Sequence, residues 1–215
     1  MLKYLKGLKF PDEMLVRFFF KEELFNLDGN VLELGCGNGC NLDLFSEYDF
    51  KVTGVDINNK AIMNAKYNFD LKGRKYYQFI NDNIYEFLKK QTLSYKIILL
   101  PSVLYYMHKQ KANEVLELLS KFLKPNTYFY FRMRTPDDYR YRKGNKISND
   151  DEVLIDFEET GELGCTMSFW ETSDFVSILY EKWKPSHTLT LNMKFDNIQN
   201  GKKIYNSDFI VFGKK

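Results

Sequence analysis

The sequence is poor in cysteine, proline and histidine: among 215 residues there are three Cys, five Pro and two His. Three thiols cannot all pair, so a disulfide framework is excluded and free thiols in a reducing compartment are expected. With only 12 Gly and five Pro there is no collagen-like, linker or low-complexity stretch. Charge of one sign is also missing, because 31 Lys and Arg stand against 29 Asp and Glu for a net charge of +2, too mild to announce a nucleic-acid binder. The longest apolar stretch, Ile97 to Met107, contains Pro101 and Ser102 and falls short of the ~18–20 residues that span a bilayer. At the N-terminus, Leu15 to Phe20 is interrupted by Arg17 and lacks a small-residue cleavage site, so no secretory signal is expected. These absences imply a cytoplasmic protein with no membrane partner.

What is present is a core: 44% of residues are hydrophobic and 17% aromatic, beneath a surface carrying 28% charge. The length fits one domain, residues 1–215. Val31-Leu32-Glu33-Leu34 is short, apolar and closed by glycines, as a buried strand should be. Lys51–Val55, Tyr76–Ile80, Ile97–Leu100 and Tyr128–Met133 follow the same pattern. Between them, Lys109 to Leu123 places Ala112, Val115, Leu116, Leu119, Phe122 and Leu123 at helical steps before Pro125. Asn58–Phe69, Asn83–Lys90 and Asp12–Phe25 are further helices by spacing, the last within a helical cover over residues 1–28. Strands alternating with helices predict an α/β fold with a mostly parallel sheet covered on both faces. Past Pro136 lies a polar stretch, then a helix near Ser173–Lys182. The chain ends in two alternating runs about Asn200-Gly201, a hairpin turn pair, so an antiparallel pair is expected at the sheet edge.

Chemistry concentrates after the first strand, in Glu33-Leu34-Gly35-Cys36-Gly37-Asn38-Gly39. Glycines there let backbone approach a ligand at the carboxyl end of the sheet. A dinucleotide fingerprint, G-x-G-x-x-G, would need glycine where Cys40 stands. Asp56, at the end of the second strand, is placed to accept from two ribose hydroxyls. Asp82 and Asn83, after the third, offer an acceptor for an adenine amino group and a donor for a ring nitrogen. Each has a plain structural alternative, the glycines as a turn and the acids as helix caps. Cys36-x-x-x-Cys40 with two distant histidines offers no metal site.

Glu33-x-Gly35-x-Gly37-x-Gly39, Asp56, Asp82 and the segment Pro101-Ser102-Val103-Leu104-Tyr105-Tyr106 together resemble the class I S-adenosylmethionine-dependent methyltransferases over roughly residues 28–135. The resemblance implies an open seven-stranded sheet of order 3-2-1-4-5-7-6, with S-adenosylmethionine as cofactor and S-adenosylhomocysteine as product. It implies that Gly35, Cys36, Gly37 and Gly39 line the cofactor and that Glu33 holds its ammonium. Asp56 would then bind the ribose, Ile57 pack on the adenine, Asp82 and Asn83 read its edge, and main chain near Pro101 meet the methionine portion, the methyl pointing toward Ser102–His108. His108 is a candidate base or a surface residue at a helix start. Tyr105 and Tyr106 shape an acceptor pocket or belong to the core.

Four of six arginines, Arg132, Arg134, Arg140 and Arg142, fall within eleven residues. Arg132 and Arg134 therefore suggest an anionic acceptor carrying phosphate, phosphoramidate or carboxylate, unless they sit in a solvated loop paired with Asp137, Asp138, Asp150 and Asp151. A sugar-type acceptor, methylated on O or N, fits the small build by analogy. The segment after strand four lacks the signatures of amino-methylating and cytosine-C5 enzymes, which argues against nucleic acid. Residues 135–185 are expected to form the acceptor side, in a monomer or homodimer. The competing expectations are a silent methyltransferase-like scaffold and an NAD-dependent oxidoreductase.

Overall fold

Alternation along the strands sorts the core into two layers. In β4 (Ile97–Pro101), Ile97 and Leu99 join one cluster and Ile98 and Leu100 the other, because successive side chains of a strand point to opposite faces. The computed structural model describes residues 1–148 and 151–215; the expected pairing with Asp150 lies outside the described residues. The seven-stranded sheet consists of β1 (Asn30–Leu34), β2 (Lys51–Asp56), β3 (Tyr77–Asn81), β4, β5 (Tyr128–Arg134), β9 (His187–Gln199) and β10 (Lys202–Lys214). Their order is β3-β2-β1-β4-β5-β10-β9, with β1 to β5 parallel and β10 antiparallel to both neighbours. This is the order expected, the late hairpin supplying its last two strands.

Helices α1 (Glu13–Lys21), α2 (Cys40–Ser46) and α3 (Asn59–Leu71) bury Phe18, Phe19, Phe45, Ile62 and Phe69 on one face. Helices α4 (Ile84–Lys90), α5 (Lys109–Ser120) and α7 (Thr172–Trp183) cover the other with Leu88, Val115, Leu116, Phe175 and Trp183. The hairpin closes through Asn200 and Gly201, both left-handed at φ 47° and 76°, the conformation that two-residue turns demand.

The polar stretch after Pro136 holds structure that its composition does not announce. Here lie α6 (Tyr139–Lys143) and a second sheet of β6 (Asn145–Ser148), β7 (Glu152–Leu154) and β8 (Thr166–Ser168), in the order β6-β7-β8. A small apolar cluster of Tyr105, Val153, Ile155, Met167 and Phe169 seats this sheet. The helix expected over Asp12–Phe25 ends at Lys21, and Leu24–Asn26 forms a single 3-10 turn after Glu23 at φ 50°.

Candidate functional site

β1 delivers its chain into a turn that only glycine makes easily. Gly35, Gly37 and Gly39 have φ of 74°, 54° and 78°. At Gly35 a Cβ would sit 2.6 Å from Val103 Cγ2, whereas at Gly37 it would meet nothing within 4 Å, so Gly37 faces open space. The turn is held by N–H groups of Gly35 and Cys36 donating to Val55 O, at 2.8 and 3.1 Å. Gly37 N–H donates to Asp56 Oδ2 at 2.8 Å and Asn58 N–H to Asp56 Oδ1 at 2.8 Å, which orients the Asp56 carboxylate beside the glycine loop.

Gly35, Asp56, Ile57, Asn58 and Asn83 line one side of a cavity of about 680 Å³, with Ser102, Tyr106, Met107, Lys111, Cys165 and Thr166 among the residues of the other. Ile57 is 72% exposed, an apolar side chain left at the rim. Asn83 caps α4 through Oδ1, which accepts from Tyr85 N–H at 2.9 Å, so its NH2 is what it can offer a ligand. Asp82 accepts from Asn83 N–H at 2.8 Å and does not line the cavity. Pro101 ends β4 in the core, and Ser102 after it adopts a left-handed φ of 58° at the cavity wall, a strained conformation for serine.

Glu33 lies at 1% exposure near the end of β1. Its Oε1 accepts from Asn41 Nδ2 at 2.7 Å, and its Oε2 is buried with no partner. Burial, followed by the nearby Asp56 and Asp12 carboxylates, outweighs the Asn41 hydrogen bond and raises its pKa to about 8. Burial also pushes the Cys36 thiol up, and that of Cys40 to about 12, so both stay neutral.

Other expected site residues are engaged elsewhere. Tyr105 is buried in the small cluster, whereas Tyr106 lines the cavity and donates its hydroxyl proton to Glu162. His108 is the N-cap of α5, with Nδ1 2.7 Å from Glu152 Oε2, and is not among the lining residues. Arg132, Arg134 and Arg140 are not in a solvated loop, and their forks face the protein's own carboxylates, whereas Arg142 is exposed on α6. Arg132 pairs with Asp12 at 2.5 Å and Asp208 at 2.7 Å. Arg134 pairs with Asp208 at 3.3 Å and Asp138 at 3.5 Å. Arg140, 2% exposed, bonds Asp138, Glu162, Asn206 and Gln199. Sequence reasoning missed Asn41, although the first turn of a helix after the glycine loop was its signal. It also missed Glu162, Cys165 and Thr166, which no local pattern marks.

A methyltransferase-domain family profile matches residues 26–201. Among curated proteins none matches. Among solved structures the chain is similar to an S-adenosylmethionine-dependent methyltransferase from Methanosarcina mazei, at 20% identity and TM-score 0.70, covering 91% of this chain and 96% of that one. It is similar to another from Clostridium acetobutylicum, at 17% identity and TM-score 0.60, covering 95% and 93%. A magnesium protoporphyrin IX methyltransferase from Synechocystis, solved with its cofactor, aligns at 11% identity and TM-score 0.60 over 94% and 77%. With the family matched over most of its length, the sheet order above and the glycine turn beside Asp56, the chain belongs to the methyltransferase-domain family, on the Rossmann-like fold of the class I S-adenosylmethionine-dependent enzymes.

Proposed function

We propose that the protein transfers the methyl group of S-adenosylmethionine to a small acceptor that carries no net negative charge, at a nitrogen in preference to an alcohol oxygen. The observation that carries this reading is a single cavity joining Gly35 of the glycine turn, Asp56, Ile57 and Asn83 to Ser102, Tyr106 and Thr166. The residues fit the cofactor's chemistry. Gly37 faces open space beside the Asp56 carboxylate it donates to, Asp56 has lone pairs to spare for a diol, and exposed Ile57 suits a flat ring. The orphan Glu33 Oε2 suits an ammonium, since a buried carboxylate oxygen gains most from a charged donor.

When bound, S-adenosylmethionine supplies an electrophilic methyl on a sulfonium. The chain's part is alignment and exclusion of water, the main contributions to an in-line displacement. Tyr106, anchored by Glu162, fixes one wall of the acceptor end. Among the described residues that line the acceptor end, Ser102, Tyr106, Met107, Lys111, Cys165 and Thr166, none is a histidine or an acid, and the Glu162 carboxylate beyond Tyr106 is taken up by Tyr106 and Arg140, so an acceptor that attacks without a side-chain base is favoured. Arg132 and Arg134 already neutralise Asp12, Asp138 and Asp208, which argues against an anionic acceptor. The test is release of S-adenosylhomocysteine over a panel of neutral amines, sugars and phosphate or carboxylate compounds. Turnover confined to anionic compounds overturns the acceptor reading, and no turnover with any compound favours a silent scaffold.

A further inference from the structure

Among the described residues Glu33 is the only carboxylate with a buried oxygen that lacks a partner. Its surroundings decide where a proton would sit. Asp12 N–H donates to Asn41 Oδ1 at 2.8 Å, which commits the amide oxygen and turns the Asn41 NH2 toward Glu33. Glu33 Oε1 is therefore an acceptor, and Oε2 is the oxygen free to carry a proton. The charged and titratable groups facing it are Asp56 from β2, Asp12 from the N-cap of α1, and the thiols of Cys36 and Cys40. None brings a positive charge. Asp12 is bound by Arg132, Tyr130 and the first N–H groups of α1, and Asp56 by Gly37 and Asn58. An ionised Glu33 would thus be a third carboxylate in one buried corner, without a counter-ion of its own.

We propose that Glu33 is a neutral carboxylic acid in the cofactor-free protein, and that arrival of the cofactor's ammonium at Oε2 expels this proton to solvent, so that cofactor capture releases one proton. The inference rests on the reading that this site takes S-adenosylmethionine. The step balances: the O–H bond of Glu33 breaks, its electron pair stays on the carboxylate, the proton goes to buffer, and the ammonium keeps its own protons. The raised pKa of Glu33, about 8, agrees with it. Cys36 and Cys40 hold their protons more tightly still and contribute none near neutrality. Glu33→Gln copies the shape and hydrogen-bonding of the acid form, with an NH2 where the O–H stood, but has no proton to give up.

The experiment is calorimetry of S-adenosylhomocysteine binding at pH 6.5 in two buffers of different ionisation enthalpy. Close to one proton should be released by the natural protein and none by Glu33→Gln. Affinity of the natural protein should rise about ninefold between pH 6 and 7, because the ionised fraction of a group of pKa ~8 grows by that factor. An infrared difference spectrum, bound minus free, should show loss of a protonated carboxyl band, a readout that needs no variant. Binding without proton release, or release undiminished in Glu33→Gln, overturns the inference alone. Absence of S-adenosylhomocysteine binding overturns the methyltransferase reading and the inference with it.

Discussion

Replacing Arg140 by methionine should be among the most damaging single changes outside the cavity. The guanidinium is 2% exposed and holds two carboxylates, Asp138 and Glu162, together with the side-chain oxygens of Asn206 and Gln199 at 3.1 Å each. Methionine fills similar space but leaves both acids without that cation and two amide oxygens without a donor. Breaking a buried pair from one side costs about 3–5 kcal/mol. For a chain of this size that is a fall in Tm of roughly 6–20 °C. The loss should depend on pH. Burial works against the charge of Glu162, but hydrogen bonds from Tyr106 and Arg140 outweigh it and hold its pKa below the usual range. A depressed carboxylate adds stability above its unfolded pKa and gives it up as pH falls through the folded value. The gap between natural protein and Arg140→Met should therefore be widest near pH 7 and narrow toward pH 4. Thermal unfolding followed by circular dichroism across that range checks it. A Tm change of less than about 2 °C, or a gap that does not move with pH, would refute the view that Arg140 ties Asp138 and Glu162 to the hairpin residues Gln199 and Asn206.

Glu33→Gln should show the opposite pH sign. A carboxyl whose folded pKa is raised to about 8 destabilises the cofactor-free fold progressively as pH climbs from 4.5 to 8, and glutamine is free of that cost. The stability difference should grow in favour of the variant by about 3 kcal/mol between pH 5.5 and 8, read as a relative rise in Tm of roughly 6–12 °C. Gly37→Ala should bind S-adenosylhomocysteine at least about tenfold more weakly with a small loss of Tm, since its Cβ enters open space. Gly35→Ala should lose both affinity and Tm, because its Cβ collides with Val103 at 2.6 Å; equal thermal losses in the two variants would count against this account of the turn.

The sheet was legible because its strands are short apolar runs that must be buried on both faces, and because Asn200-Gly201 admits few turns other than a hairpin. The glycine turn and Asp56 were legible for the same local reason. The second sheet was not, since β7 and β8 have three residues each, too few for alternation to show. Partners distant in sequence were also hidden. Arg132 reads as a free fork at a strand end until Asp12, 120 positions earlier, and Asp208, 76 later, fold beside it. His108 reads as a base until Glu152, 44 residues on, closes on its ring.

The most direct measurement for the central claim is titration calorimetry with S-adenosylhomocysteine, with NAD as rival ligand and Asp56→Ala as control. S-adenosylhomocysteine should bind in the micromolar range, Asp56→Ala, where the oriented carboxylate is gone, should lose at least about tenfold in affinity, and NAD should not bind. Binding of NAD alone, or binding of S-adenosylhomocysteine untouched by Asp56→Ala, would contradict that claim.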